Sequence, residues 1–311
     1  MRILIVGDSI THGSVGDWTW RYRLWRNLTS QGIAVDFVGP HGGVLNSKAD
    51  ELWDASGYAD PKFDTDHAAR WGMGFVNQEY PIGELVSKYR ADVVVSMLGT
   101  NDLAFFGQTP DQVAASASEF VAAARAANPG VSIVLSHVPN GWVGGAGGVN
   151  WWLDVIASDR DQPGARVLSA SVDGAYDQNV DTYDPLHPSA SGEVKLARSV
   201  ATALAKMGVG SRPDAFPLVV NGPASIPRLS ATVRWGLVQL NWSMPAGATG
   251  VNMWRRVGSG EWVPTRVQRS VPVPRRGKPV QWKVQAFKGH AVSPYYSNTV
   301  TVKPRAFGSL K

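Results

Sequence analysis

Ser9, Asp184 and His187 are of the types that together turn a hydroxyl into a nucleophile. A serine attacks poorly until a base takes its proton, and histidine is the base whose ordinary pKa suits neutral pH. Asp184 precedes the histidine in the Pro-bounded stretch Asp184-Pro-Leu-His187-Pro188. From there it can reach the other ring nitrogen, fix the tautomer and stabilise the imidazolium. Attack on an ester leaves an oxyanion, which needs preorganised donors. The backbone N–H of Ser9, the N–H of Gly72 and the side-chain amide of Asn101 are candidates for that task, with Gly74 an alternative to Gly72. Asp102, beside Asn101, reads as a structural loop residue. Taken singly these signals are weak. Ser9 reads equally as the cap of an ordinary strand-to-helix turn, and a lone Asp-x-x-His is more often a surface loop.

The predicted elements place these residues together. Arg2 to Val6 is an apolar, β-branched run that reads as a buried strand, so Ser9 falls on the turn at its carboxyl end. Helical spacing from Trp18 to Ser30 precedes a second strand at Ala34 to Val38. A polar stretch from His41 to Gly74 lacks clear periodicity, and a loop of that length in a compact domain is usually functional. Beyond it the pattern gives a helix at Pro81 to Tyr89 with Pro81 in its first turn, a strand at Asp92 to Leu98, and an Ala-rich helix from Thr109-Pro110 to Ala127. A strand follows at Val131 to Val138, then a Gly-rich loop at Gly141 to Gly148, a helix at Val149 to Ser158, a strand at Ala165 to Val172 and a last helix at Ser189 to Met207. This alternation specifies an α/β fold with a parallel sheet covered by helices. Each candidate residue lies beyond a predicted strand or just before a helix, where open α/β sheets bind ligands.

Four stretches, Gly7-Asp8-Ser9-Ile-Thr11, Gly72, Gly99-Thr-Asn101-Asp102 and Asp184-x-x-His187, resemble the sequence blocks of the GDSL, or SGNH, hydrolase superfamily. The resemblance covers residues 2 to about 206. It implies a three-layer α/β/α sandwich, flavodoxin-like, with a five-stranded parallel sheet. It further implies Ser9 as nucleophile, Ser9, Gly72 and Asn101 as the oxyanion hole, Asp184 and His187 completing the triad, and no cofactor. Within the superfamily, Tyr22-Arg-Leu-Trp25 and Val35-Asp-Phe-Val-Gly39 are similar to carbohydrate esterases that remove acetyl groups from xylan and related sugars. One departure is Gly192-Glu193, where a Tyr commonly follows the Gly; it touches packing more than chemistry.

From Gly208 the texture changes. Residues 208–220 read as a linker between a hydrolase domain at 1–207 and an all-β domain at 221–311. Short runs with period two, separated by Pro, Gly and Ser turns, read as a β-sandwich. Pro223-x-x-x-Pro227-x-Leu229, Val238-x-Leu-x-Trp242 and Trp282-x-Val284-x-Ala286 with Ser297-Asn298 resemble a fibronectin type III module, with Trp282 where that family usually has Tyr. Charge divides the same way. Up to Ala215 there are 16 Lys and Arg against 24 Asp and Glu, a balance of −8; from Phe216 there are 14 against Glu261 alone, a balance of +13.

That basic half suits an anionic polymer or an acidic protein surface. Arg255-Arg256 and Arg275-Arg276-Gly-Lys278 come with no helix or stacking motif, so no specific nucleic acid is expected. His12, His67 and His137 match no ligand spacing, which argues against a metal site. Cys is absent, so neither disulfides nor thiolate metal sites contribute. No run approaches the roughly 20 apolar residues of a membrane span. A strand beginning at Arg2 leaves no room for a signal peptide: either the protein is not exported by that route or the sequence begins after a removed leader. Trp18, Trp20, Trp53, Trp71, Trp142, Trp151 and Trp152 crowd the loops around the site; packing accounts for most. Trp71 and Trp142, with Asp8, are kept as substrate contacts. The expected function is a serine esterase acting on acyl, above all acetyl, esters of a carbohydrate or envelope polymer. Its alternative is a structural or binding protein, such as a phage tail or surface component, that retains the hydrolase fold as a scaffold.

Overall fold

The computed structural model describes residues 1–45, 58, 60, 62–172, 176–211, 226–245, 248–274 and 277–304. The chain divides into two compact units, Met1–Val219 and Val220–Lys311. Trp53, Arg275 and Arg276 lie outside the described residues, as do most of the proposed linker and the Pro223 lead-in.

The first unit is built on a parallel sheet. Its strands are β1 (Arg2–Gly7), β2 (Asp36–Val38), β3 (Ala68–Ala69), β4 (Val93–Met97), β5 (Ser132–Ser136) and β6 (Val167–Ala170). The order across the sheet is β2-β1-β4-β5-β6, with β3 also paired to β1. The expected five strands are therefore joined by a sixth of two residues. It was hidden in the aperiodic stretch after β2 because two residues carry no periodicity. β2 pairs with the start of β1 (Arg2↔Asp36) and β3 with its end (Gly7↔Ala69).

Alternation along the strands sends neighbouring residues to opposite faces. Leu4 and Val6 join one core with Val94, Ile133 and Leu135; Ile3 and Ile5 join the other with Val93, Val95 and Val134. Helices α3 (Ile82–Tyr89), α5 (Pro110–Ala127) and α6 (Ala146–Arg160) cover the first face, and α2 (Thr19–Ser30) and α8 (Ala190–Lys206) the second. Pro81 caps α3 rather than entering its first turn, and α6 begins inside the Gly-rich loop. α5 starts where its capping box puts it, with Thr109 Oγ1 accepting from Gln112 N and Gln112 Oε1 from Thr109 N. Three short helices complete the unit: α1 (Ser9–His12), α4 (Thr100–Ala104) and α7 (Gln178–Asp181). Chain order reverses between β1 and β4, so the crevice beyond their carboxyl ends is the switch point of the sheet.

The second unit contains two antiparallel sheets. One has the order β11 (Ser270–Pro272), β8 (Leu237–Trp242), β7 (Leu229–Arg234). The other has β10 (Val263–Thr265), β9 (Gly250–Val257), β12 (Val280–Lys288), β13 (Ala291–Val292), with β14 (Val300–Val302) also on β12. Leu229, Val238, Leu240 and Trp242 from the first sheet share one buried cluster with Val251, Met253, Val280, Trp282 and Val284 from the second.

Candidate active site

The turn leaving β1 is held from several sides. Asp8 is buried and caps α1, its Oδ1 accepting from Ile10 N at 2.9 Å. Burial raises its carboxyl from the usual 3.8 to about 7; the bond from Ile10 and the charge of His187 act in the opposite sense. Ile10, Thr11 and His12 are buried, whereas Ser9 is partly open to solvent. Below the turn Arg21 is fully buried on α2 and donates to Thr11 O at 2.9 Å and His12 O at 3.2 Å. A cation thus meets the carboxyl end of the one-turn helix that Ser9 opens. His67 accepts from Ala69 N at Nδ1 (3.0 Å) and donates from Nε2 to Gly43 O (2.9 Å). Burial holds its pKa well below 6.5, so it stays neutral. The sequence reading missed Arg21, whose only signal was a charged residue among the apolar positions of α2.

β3 delivers the second stretch. Arg70 N donates to Gly7 O at 3.0 Å, and the chain then turns through Gly72 at φ +82°. A Cβ there would meet nothing within 4 Å, and the residue is exposed. Gly74 is different: a Cβ would stand 2.6 Å from the Asp102 carboxylate. Asp102 is fully buried and accepts from Phe75 N at 3.0 Å and Val76 N at 3.1 Å, bracing this loop as a structural residue. Asn101, on α4 just past β4, is buried and spends one amide hydrogen on Met73 O at 2.7 Å, keeping the other free to donate. Neither Ser9 N nor Gly72 N has an acceptor among the described residues.

The fourth stretch lies between α7 and α8. Asp184 Oδ2 bonds His187 Nδ1 at 2.7 Å, while Oδ1 accepts from Leu186 N at 2.9 Å and His187 N at 2.8 Å. Burial alone would raise the Asp184 carboxyl, but these bonds outweigh it and hold it below 3.8, ionised at neutral pH. With Nδ1 committed to Asp184, His187 keeps Nε2 for a second partner. The His187 ring stacks on Trp71 at 4.4 Å between centroids, and Tyr183 lies near-parallel to it at 5.8 Å. Trp71 Nε1 in turn donates to Gly13 O at 3.0 Å, tying the ring that covers His187 to the loop after Ser9. Asn140 Nδ2 donates to Leu186 O and Trp142 Nε1 to Pro185 O, both at 2.9 Å. Trp142 also stacks on Tyr176. Asn140 follows β5 as Asn101 follows β4, a parallel that could have been read in advance.

Among the other tryptophans, Trp20 is fully buried and Trp18 packs on Tyr22. Trp152 donates to Asp111, and Trp151 is exposed. His12 is buried against His67, and His137 bonds Asp154 at 2.8 Å. Among the described residues no cluster of His, Asp and Glu could hold a metal ion, and no helix is long and apolar enough to cross a membrane.

The GDSL-like Lipase/Acylhydrolase family model matches residues 5–194. The chain belongs to this family. It is an ester hydrolase, and the matched span holds all four stretches that converge at the switch point. Among solved structures the chain is similar to an acetyl esterase mutant with acetate ion at 24% identity and TM-score 0.57, over 67% of this chain and 97% of that one. It is also similar to a carbohydrate esterase family 3 protein from Talaromyces cellulolyticus at 25% identity and TM-score 0.55, over 67% and 97% of the two chains. A family 3 carbohydrate esterase from Clostridium thermocellum matches at 25% identity and TM-score 0.53, over 67% and 96%. No curated protein matches by sequence.

Proposed function

We propose that this GDSL-family hydrolase is a serine esterase that removes acyl groups, acetyl above all, from a carbohydrate or envelope polymer. The observation that carries the reading is the 2.7 Å bond from Asp184 to His187 Nδ1, at the end of the sheet where Ser9 stands partly open. In this mechanism Ser9 Oγ attacks the acyl carbon while His187 Nε2 takes its proton. The resulting oxyanion accepts from Ser9 N, Gly72 N and Asn101 Nδ2, three donors with unspent capacity. His187 then returns the proton to the leaving alkoxide, freeing the sugar hydroxyl and leaving an acyl-serine. Water, deprotonated by His187, hydrolyses that ester and restores Ser9. Trp71 and Trp142, against His187 and its loop, would border the sugar, whereas Asp8, expected to touch substrate, is buried as the cap of α1 and is left out of that role. The names of the solved relatives support an acetylated carbohydrate as substrate.

The second unit fits a fibronectin type III-like sandwich used for attachment, with the hydrolase domain at 1–207 and the module at 221–311. Supporting this, two antiparallel sheets, one of β7, β8 and β11 and one of β9, β10, β12, β13 and β14, share one core. A +13 balance suits an anionic polymer or acidic surface.

The test is a screen of small acyl esters and acetylated polysaccharides with wild type, Ser9→Ala and His187→Ala, together with organophosphonate labelling read by mass spectrometry. Hydrolysis should vanish in both variants, and the label should sit on Ser9. Because triad members act as a unit, the double variant should be no worse than either single one. Near wild-type turnover in folded Ser9→Ala would overturn the serine mechanism.

A further inference from the structure

The second unit holds a cavity of about 390 Å³, within the range typical of small-ligand sites. Its walls come from β9, the end of β10 and the loop after it, β11 and β12. Register explains its chemistry. On β9, Arg255 pairs with Trp282, while Met253 pairs with Val284 on one side and Thr265 on the other. Cross-strand partners, and residues two apart on a strand, share one face of a sheet. Met253 and Trp282 are buried in the core, so the face that builds the core continues outward into Arg255 and Thr265. Arg266 and Gln268 complete the rim. The cavity therefore has an apolar floor under two guanidinium groups, an amide and a hydroxyl.

Four of the ten described Lys and Arg of the unit lie over aromatic rings. Arg234 lies over Trp235, Arg256 over Trp262, Arg269 over Trp242, and Lys283 over Trp262 and Tyr296. Arg255 and Arg266 have neither a ring nor a carboxylate partner among the described residues. Nor can the unit itself supply one readily, because Val220 to Lys311 contains 14 Lys and Arg and a single acidic side chain, Glu261. β9 lies between β10 and β12, so the exposed charge of Arg255 does not serve to protect a sheet edge. Two arginines lining one cavity over an apolar floor match a planar oxyanion carried on a sugar-sized body.

We propose that this cavity binds one carboxylate- or phosphate-bearing unit of an anionic polymer. The proposal deepens the reading of this unit as an attachment module and rests on it. Recognition is by Arg255 and Arg266 at the anion and by Trp282 and Met253 beneath its body, with Gln268 and Thr265 bonding hydroxyls. Attachment is then a matter of one built site as well as of overall charge.

The experiment uses the full chain and three polymers: polygalacturonate for carboxylate, poly(glycerol phosphate) for phosphate, and neutral dextran. Equilibrium binding is compared for wild type, Arg255→Gln/Arg266→Gln, and Arg228→Gln/Lys303→Gln. The last pair removes the same charge from exposed positions outside the cavity. A fourth variant, Thr265→Trp, fills the cavity and keeps every charge. Thermal midpoints and hydrolysis of a small ester identify any variant that has failed to fold. The cavity variants should lose at least about tenfold in affinity for one anionic polymer, the size expected for lost charge-assisted hydrogen bonds, and dextran should not bind. The polymer whose affinity falls identifies the anion. Equal losses in the two double variants, with Thr265→Trp unaffected, would overturn the cavity while leaving charge-driven attachment intact. Absence of wild-type binding to both anionic polymers would overturn attachment and cavity together, leaving the esterase reading untouched.

Discussion

Asn101 is the residue whose proposed role separates most sharply from packing. Its amide already donates to Met73 O, and only its second hydrogen is available to an oxyanion. A donor that acts mainly in the transition state should govern turnover more than affinity. Asn101→Ala should therefore lower kcat by about 10²–10³ with little change in KM, read in steady-state kinetics on a short acetyl ester. An effect confined to KM would make Asn101 a substrate contact. Asp8 makes a different kind of prediction. Its folded pKa of about 7 lies above the ordinary 3.8, so the stability tied to its protonated form is complete below that ordinary value and is lost as pH rises through about 7. The move corresponds to about 4 kcal/mol against the buried carboxylate. Asp8→Asn keeps an oxygen for Ile10 N and removes that penalty. Chemical denaturation should find the variant gaining on wild type from about pH 4 to about pH 7 and holding its lead above. A variant no more stable than wild type at alkaline pH would mean that the burial is not penalised. That a charge so disfavoured stands beside His187 fits the retention of strain at working sites.

At the scale of elements, the packing of α2 on α8 sets the base of the loop that carries Asp184 and His187. Arg23 of α2 and Glu193 of α8 form a buried ion pair at 3.0 Å, each side chain 4% exposed. Removing one partner strands the other charge in the core, so Arg23→Met should cost about 3–5 kcal/mol in denaturant unfolding. Arg23→Met with Glu193→Leu should recover most of that loss; a double variant as unstable as the single one would show that the helices need the pair's geometry. This also explains the Glu after Gly192, whose partner lies 170 positions away, beyond the reach of local patterning. What the sequence disclosed follows the same logic. Long elements were legible because their pattern is sustained: α5 as an Ala-rich helix opening on Thr109-Pro110, and β1 and β4 as continuous apolar runs. The four stretches proposed for the site stood out in the sequence because each follows a predicted strand or precedes a predicted helix. The one-turn helices α1, α4 and α7 and the two-residue β3 were not legible, since their conformation is imposed by tertiary hydrogen bonds such as Arg21 to Thr11 O and Phe75 N to Asp102 Oδ2. That Gly74 packs against Asp102 whereas Gly72 stands open was visible only in the fold.

At the scale of the whole molecule, the charge asymmetry and the division into two units lead to one expectation. Every residue assigned to the ester chemistry, from Ser9 to His187, lies in the first unit, which carries its own two cores on the faces of one sheet. The second unit holds all the positive excess, +13 against −8 for the residues up to Ala215. A chain ending after Val219 should therefore hydrolyse a small soluble acetyl ester as well as the full chain does. Small uncharged substrates gain nothing from a cation field. Retention on an anionic polymer should fall sharply in the same truncation. For the full chain that retention should weaken as salt rises, because exposed charges are screened over about 8–10 Å at physiological ionic strength. Both properties can be measured on one pair of proteins, kcat/KM in solution and co-sedimentation with the polymer across a salt series. A folded truncation that loses small-ester activity would show that the second unit completes the active site. Retention that survives truncation would assign attachment to the first unit instead. Retention by the full chain that ignores salt would locate the binding energy in apolar contact, and the cationic surplus would then need another role.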